Sequence, residues 1–212
     1  PQGIEGSLGP TGATGPQGYQ GESGQAAGVE YYLHDSDTSD IGGYDSARRS
    51  PADSSETTIV TSVVDTDGDK IVEEFASLVS DPGINEVPVG TWTFTIYGKV
   101  DNASDVTKYK VDVIKRTSGG SESSLFSSES PEVDNTDVAE ISWSYTQTSA
   151  ISVDPSDRLV FKLSVNTTST SSRSVTTYFE GTTNVSKIRS TISVGAMGSI
   201  GPTGSEGSQG PQ

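Results

Sequence analysis

The sequence contains no cysteine, which removes disulfide frameworks and thiolate metal sites from consideration. With a single histidine, His34, and no nucleophile-elbow motif, there is nothing from which to assemble a Ser-His-Asp or Cys-His arrangement. His34 reads as an ordinary strand residue, and the chain is not expected to be an enzyme. Positive charge is also scarce: 13 Lys and Arg stand against 29 Asp and Glu, a net charge of −16 over 212 residues. The basic residues are scattered, as in Arg48-Arg49, Lys108, Lys110, Lys115-Arg116, Lys187 and Arg189, with no dense run. Such acidity keeps a particle soluble and repels phosphate backbones, so nucleic acid is not expected as a partner. No apolar run approaches the length of a transmembrane helix, so membrane insertion is not expected either, and the N-terminal residues carry no signal-peptide pattern. Hydrophobic residues make up 30% of the chain, below the usual globular share, so burial between subunits is expected to supplement the core of one chain. Strong helix formers are scarce beside Ser, Thr, Val and Gly, which favours strands.

What is present begins with a repeat. Glycine occupies positions Gly3, Gly6, Gly9, Gly12, Gly15, Gly18, Gly21 and Gly24, and returns at Gly195, Gly198, Gly201, Gly204, Gly207 and Gly210. Only glycine fits at the axis where three polyproline-II chains meet, so a strict period of three is the signature of the collagen triple helix. A flexible glycine-rich linker would not keep phase. Pro10, Pro16, Pro202 and Pro211 each follow a glycine, and none stands in the third position, where animal collagens carry hydroxyproline. A triple helix with no need of prolyl hydroxylation suits a bacterium or a virus. Runs of eight and six low-proline triplets are marginal alone, because three chains must be brought together and ordered. A folded trimer beside them raises the effective concentration and removes most of that cost. The expected organisation is a collagen-like segment over 1–27, a β-sandwich trimeric domain over 28–194 and a second collagen-like segment over 195–212. The partners are two identical subunits. Both ends of the sequence fall in mid-repeat, which leads to the expectation of a longer polypeptide.

From about 28 to 194 the chain alternates apolar and polar residues, the period of half-buried strands. Trp92, Phe94 and Ile96 share one face. Tyr109/Val111/Val113, Ile141/Trp143/Tyr145 and Leu159/Phe161/Leu163/Val165 follow the same rule, as do Tyr31/Leu33, Val175/Thr177/Phe179 and Ile188/Ile192. Shorter apolar runs occur at 59–64 and 71–75. Turn chemistry separates these runs at Asp67-Gly68, Asp81-Pro82-Gly83, Ser118-Gly119-Gly120, Asp154-Pro155 and Glu180-Gly181. The pattern predicts an all-β fold, a jelly-roll-like β-sandwich, with no helix and with residues 35–56 as a loop or edge covering. Since both flanks need the threefold axis, the two ends of the domain are expected at opposite poles of an in-line fibre.

Four stretches carry a resemblance: Val89-Gly90-Thr91-Trp92-Thr93-Phe94, Val113-Ile114-Lys115-Arg116-Thr117-Ser118-Gly119-Gly120, Asp157-Arg158-Leu159-Val160-Phe161-Lys162 and Thr177-Tyr178-Phe179-Glu180-Gly181-Thr182. Together they resemble a module of phage tail-fibre and minor structural proteins that often sits beside collagen-like repeats, over roughly residues 30 to 193. The resemblance implies a structural trimerisation or spacer module in an extracellular viral fibre, located on the virion. It implies no particular receptor. More loosely, a collagen stalk with a β-sandwich head is similar to C1q and tumour-necrosis-factor-like trimers, from which this chain departs because the repeat resumes after the domain. An adhesive head that binds a host-surface glycan or protein is a second expectation, and a bacterial surface or spore filament a third.

Candidate sites are few. Asp65, Asp67 and Asp69 are spaced like the first acids of an EF-hand, but Lys70 stands where that loop needs glycine and Ala76 where it needs glutamate. The flanking Val63-Val64 and Ile71-Val72 favour a hairpin turning at Asp67-Gly68 instead, so no metal and no cofactor are expected. Adjacent acids at Glu73-Glu74 point to opposite faces of a strand and cannot work as a catalytic pair. Tyr31, Tyr32 and Tyr44 could stack on sugars, although core or interface packing suits them better.

Overall fold

The computed structural model describes residues 28–52 and 55–192. The repeat glycines, Gly3 to Gly24 and Gly195 to Gly210, and the triple helices expected of them lie outside the described residues.

Alternation of apolar and polar side chains becomes thirteen strands, with no α-helix among the described residues. In chain order they are β1 (Glu30–Thr38), β2 (Asp45–Arg48), β3 (Thr57–Val63), β4 (Lys70–Ala76), β5 (Glu86–Val87), β6 (Gly90–Val100), β7 (Thr107–Arg116), β8 (Glu122–Glu129), β9 (Ala139–Gln147), β10 (Ile151–Ser152), β11 (Arg158–Thr167), β12 (Arg173–Phe179) and β13 (Lys187–Arg189). Eleven of them form one ladder in the order β3-β12-β6-β13-β1-β2-β4-β11-β7-β8, with β9 also paired to β6, while β5 and β10 form a separate pair. The β2–β4 pairing is parallel.

This ladder doubles over to enclose its own core. Phe75 on β4 meets Phe179 on β12 with ring centroids 5.4 Å apart, and Trp92 on β6 meets Phe126 on β8 at 5.2 Å. Phe126 also stacks on Tyr145 of β9 at 4.2 Å. One layer is therefore β3, β12, β6 and β9, and the facing layer is β4, β11, β7 and β8, an all-β sandwich. On β6 the side chains of Trp92, Phe94 and Ile96 are fully buried, as the alternation requires. Leu159, Phe161, Leu163 and Val165 fill the core from β11. Val160 points to the outer face of β11, yet it too is fully buried. It packs with Ala76 and Ile114 beneath Ile41 and Tyr44 from the β1–β2 connection, which lies over that face.

Three expectations need correction. Residues 35–56 are not wholly a loop: they contain the end of β1 and all of β2. Asp67-Gly68 does not turn a hairpin, because β3 pairs with β12 whereas β4 pairs with β11 and β2. A 3-10 turn at Asp65–Asp67 instead carries the chain from one layer to the other. Hydrogen bonding to different neighbours outweighed the local turn preference.

The third correction concerns the ends of the domain. β1 and β13 are antiparallel partners, with Glu30 opposite Arg189. The Val29 amide donates to the Ile192 carbonyl at 2.9 Å, and the Ser190 amide donates to the Val29 carbonyl at 2.8 Å. The chain therefore starts and finishes its course through the sandwich at one pole, not at two. Gly28 lies so close to the Ser190 carbonyl that a Cβ there has no room. Following strand directions through the ladder, the same pole holds residues 49–50, 77–85, 88–89, 117–121 and 148–157. Residues 101–106 and 131–138 lie at the other.

Candidate functional site

Strand pairing gathers carboxylates that the sequence keeps far apart. Asp35 on β1, Asp45 at the start of β2 and Glu73 on β4 place carboxylate oxygens within 4.8 Å of one another, all half-buried. Among the described residues this is the one group of three acidic, His or Cys side chains near enough to share a cation. Close by, the fully buried Glu180 accepts hydrogen bonds from the Ser36 amide at 3.0 Å and the Ser36 hydroxyl at 2.9 Å. Burial pushes Asp45 up to about 6, and the negative charges of Glu73, Asp35, Glu180 and Asp37 push in the same direction. The cluster thus takes up a proton on Asp45 at mildly acidic pH. Taken one oxygen each, as they face one another here, the three supply half or fewer of the roughly six to eight oxygens that calcium takes.

The segment singled out in the sequence is arranged otherwise. Asp67 accepts from Lys70 Nζ and from the Val64 amide, both at 3.1 Å, and Asp69 accepts from Lys110 Nζ at 2.6 Å and Asn166 Nδ2 at 2.9 Å. These contacts hold the carboxyls of both aspartates below the usual range. Two lysine ammonium groups stand where a bound cation would need free oxygens. Glu73 and Glu74 do point apart: Glu73 joins the acidic cluster, whereas Glu74 pairs with Lys162 at 2.8 Å. His34 is buried on β1 with Nε2 3.0 Å from the Ser50 carbonyl.

The tyrosines are engaged as well. Tyr31 is fully buried and donates to Asp81, which also holds Arg49. Tyr32 donates to Glu30 at 2.8 Å and has Lys187 over its ring. Tyr44 donates to Glu122 at 2.6 Å and lies under both Arg116 and Lys162.

Two shallow clefts open at the pole where the chain begins and finishes. One, of about 400 Å³, is bounded by Asp40, Arg48, Leu78 and Val79. The other, of about 330 Å³, is bounded by Ile41, Val79, Arg116 and Arg158. Between them the Arg158 guanidinium donates two hydrogen bonds to Asp40, at 2.6 and 3.0 Å, and holds that carboxyl down to about 2. Neither cleft has an aromatic wall on which a sugar ring could stack.

No protein family and no curated protein matches this sequence. Among solved structures, a CocE/NonD family hydrolase from Staphylococcus aureus superposes with a TM-score of 0.51 at 9% identity, over 78% of this chain and 37% of the hydrolase. An α-amino acid ester hydrolase gives 0.45 at 9% identity, over 77% of this chain and 36% of that one. The infectious bursal disease virus VP2 subviral particle gives 0.31 at 7% identity, over 74% and 42%. The chain spans little more than a third of the hydrolases' length. The first of these likenesses is one of fold, an all-β sandwich shared with part of a larger protein, and the other two are too distant to bear on it.

Proposed function

We propose that the chain is a structural module of a collagen-containing fibre, in which three copies join through Gly-X-Y segments on either side of a jelly-roll-like sandwich. The observation that carries this reading is the phase of glycine, unbroken over eight triplets before the domain and six after it. The domain contributes a well-filled core that folds independently of the repeats and keeps three chains together. The engagement of Tyr31, Tyr32 and Tyr44 and the absence of aromatic walls in the two clefts favour a structural role over glycan adhesion. The owner we propose is a phage or virus fibre on the virion surface, on the strength of the four resembling stretches and of a triple helix free of third-position proline. No catalytic step is assigned to the module. Light scattering coupled to gel filtration tests the reading. The full chain should elute at three times 22.1 kDa, and a monomer or dimer at micromolar concentration would overturn it.

A further inference from the structure

Seven large apolar side chains are exposed among the described residues, and three of them, Leu78 (49%), Val79 (62%) and Val89 (56%), lie at the pole where the chain begins and finishes. Val106 and Val138 lie at the far pole, and Val60 and Ile71 on β3 and β4. Val89 flanks the junction itself. The Thr191 hydroxyl donates to the Pro88 carbonyl at 3.3 Å, and a Cβ on Gly90 would come within 2.6 Å of the Thr191 methyl.

The tethers from this pole to the repeats are short. Three residues separate Gly24 from Gly28, and two separate Ile192 from Gly195. At full stretch they reach no further than about 15 Å. In a triple helix all three chains run within a few ångströms of one axis. Each sandwich must therefore hold its junction pole within about 15 Å of that axis, and by threefold symmetry the poles of its two neighbours stand equally close.

We propose that the junction pole is the surface on which three copies of this chain meet, with Val89 packed against the neighbouring copies and Leu78 and Val79 at the margin. This rests on the trimeric-fibre reading above. The partner is a second and third copy of the same chain, because the Gly-X-Y segments require three.

The cysteine-free sequence allows a clean test. Val89→Cys and Val106→Cys are made singly in the full chain, spin-labelled, and measured by pulsed dipolar EPR beside light scattering. Both side chains are exposed on the single sandwich, so each variant should keep the fold of its own chain. The expected result is a trimer with Val89 labels closer than about 40 Å, as the tethers dictate. Val106 labels should be separated by more than about 60 Å, because β6 alone spans about 36 Å from one pole to the other. A trimer with short separations at both positions overturns a contact confined to the junction pole while leaving the trimer intact. A trimer with short separations only at Val106 places the contact at the wrong pole and overturns it too. A monomer in the wild type or in the Val106→Cys variant overturns the fibre reading itself, and this proposal with it, whereas loss of the trimer only on labelling Val89 supports the contact there.

Discussion

The hydroxyl of Tyr109 on β7 lies 2.9 Å from that of Thr177 on β12, a hydrogen bond that crosses the middle of the sandwich with both side chains fully buried. The ring reaches that far because β6 presents Gly98 beneath it. A Cβ on Gly98 would run into the Tyr109 hydroxyl and ring edge. Gly98 has no positive φ, so space and not backbone conformation demands glycine here.

Gly98→Ala should therefore destabilise the domain by about 1–3 kcal/mol, the usual cost of overpacking a filled core. Chemical denaturation of the full chain measures it. An exposed control, Val106→Ala, should stay within about 0.5 kcal/mol of the wild type. Equal effects at the two positions would show that the Tyr109–Gly98 contact is not tight.

Asp45 should make stability depend on pH in the direction opposite to most carboxylates. Its value rises from an ordinary 3.8 to about 6 in the folded state, so between those limits the folded chain binds more protons than the unfolded one. Stability then falls as pH rises through that window, with the destabilisation complete above about 6 and absent below about 4. Asp45→Asn should flatten this part of the profile and raise Tm at pH 7. Parallel Tm profiles for variant and wild type from pH 4 to 7 would remove Asp45 as the cause.

Much of the sandwich is legible in the sequence, and what is not has a physical reason. The runs Trp92/Phe94/Ile96 and Leu159/Phe161/Leu163/Val165 are legible because one buried face imposes a period of two. Val160 breaks that rule, since its outward face is covered by Ile41 and Tyr44, and nothing local to β11 announces a cover supplied by a distant loop. Ile71 breaks it in the other direction. The ladder between β4 and β11 shifts register between Leu163 and Ser164, and Ile71 is left exposed. The cluster of Asp35, Asp45 and Glu73 carries no spacing signal, because it is assembled by β2 pairing with β1 on one side and in parallel with β4 on the other. Asp65, Asp67 and Asp69 do carry a spacing signal. Lys70, at the position where the pattern needs glycine, and Lys110 from β7 take up its oxygens.

Calcium should have no effect through that segment. Melts of Asp67→Asn and Asp69→Asn with added calcium and with a chelator should respond as the wild type does, whatever that response is. A calcium-dependent rise in Tm that either substitution abolishes would restore the segment as a metal site.

In the triple helix proposed for the repeats, Gly15→Ala places a methyl group at the crowded axis. Circular dichroism melts should show the collagen transition lowered while that of the sandwich stays in place, because the sandwich has its own core. One transition displaced as a whole would show that repeats and sandwich unfold together.

The pairing of Val29 with Ile192 has a consequence for the chain as a carrier of parts. The two points where the sandwich joins the rest of the polypeptide are neighbours in one ladder, about 4.8 Å apart. Excising residues 27–194 would join Ala26 directly to Gly195 and leave glycine at every third position from Gly3 to Gly210. The sandwich is thus a cassette, which the sequence can lose without the repeat changing phase.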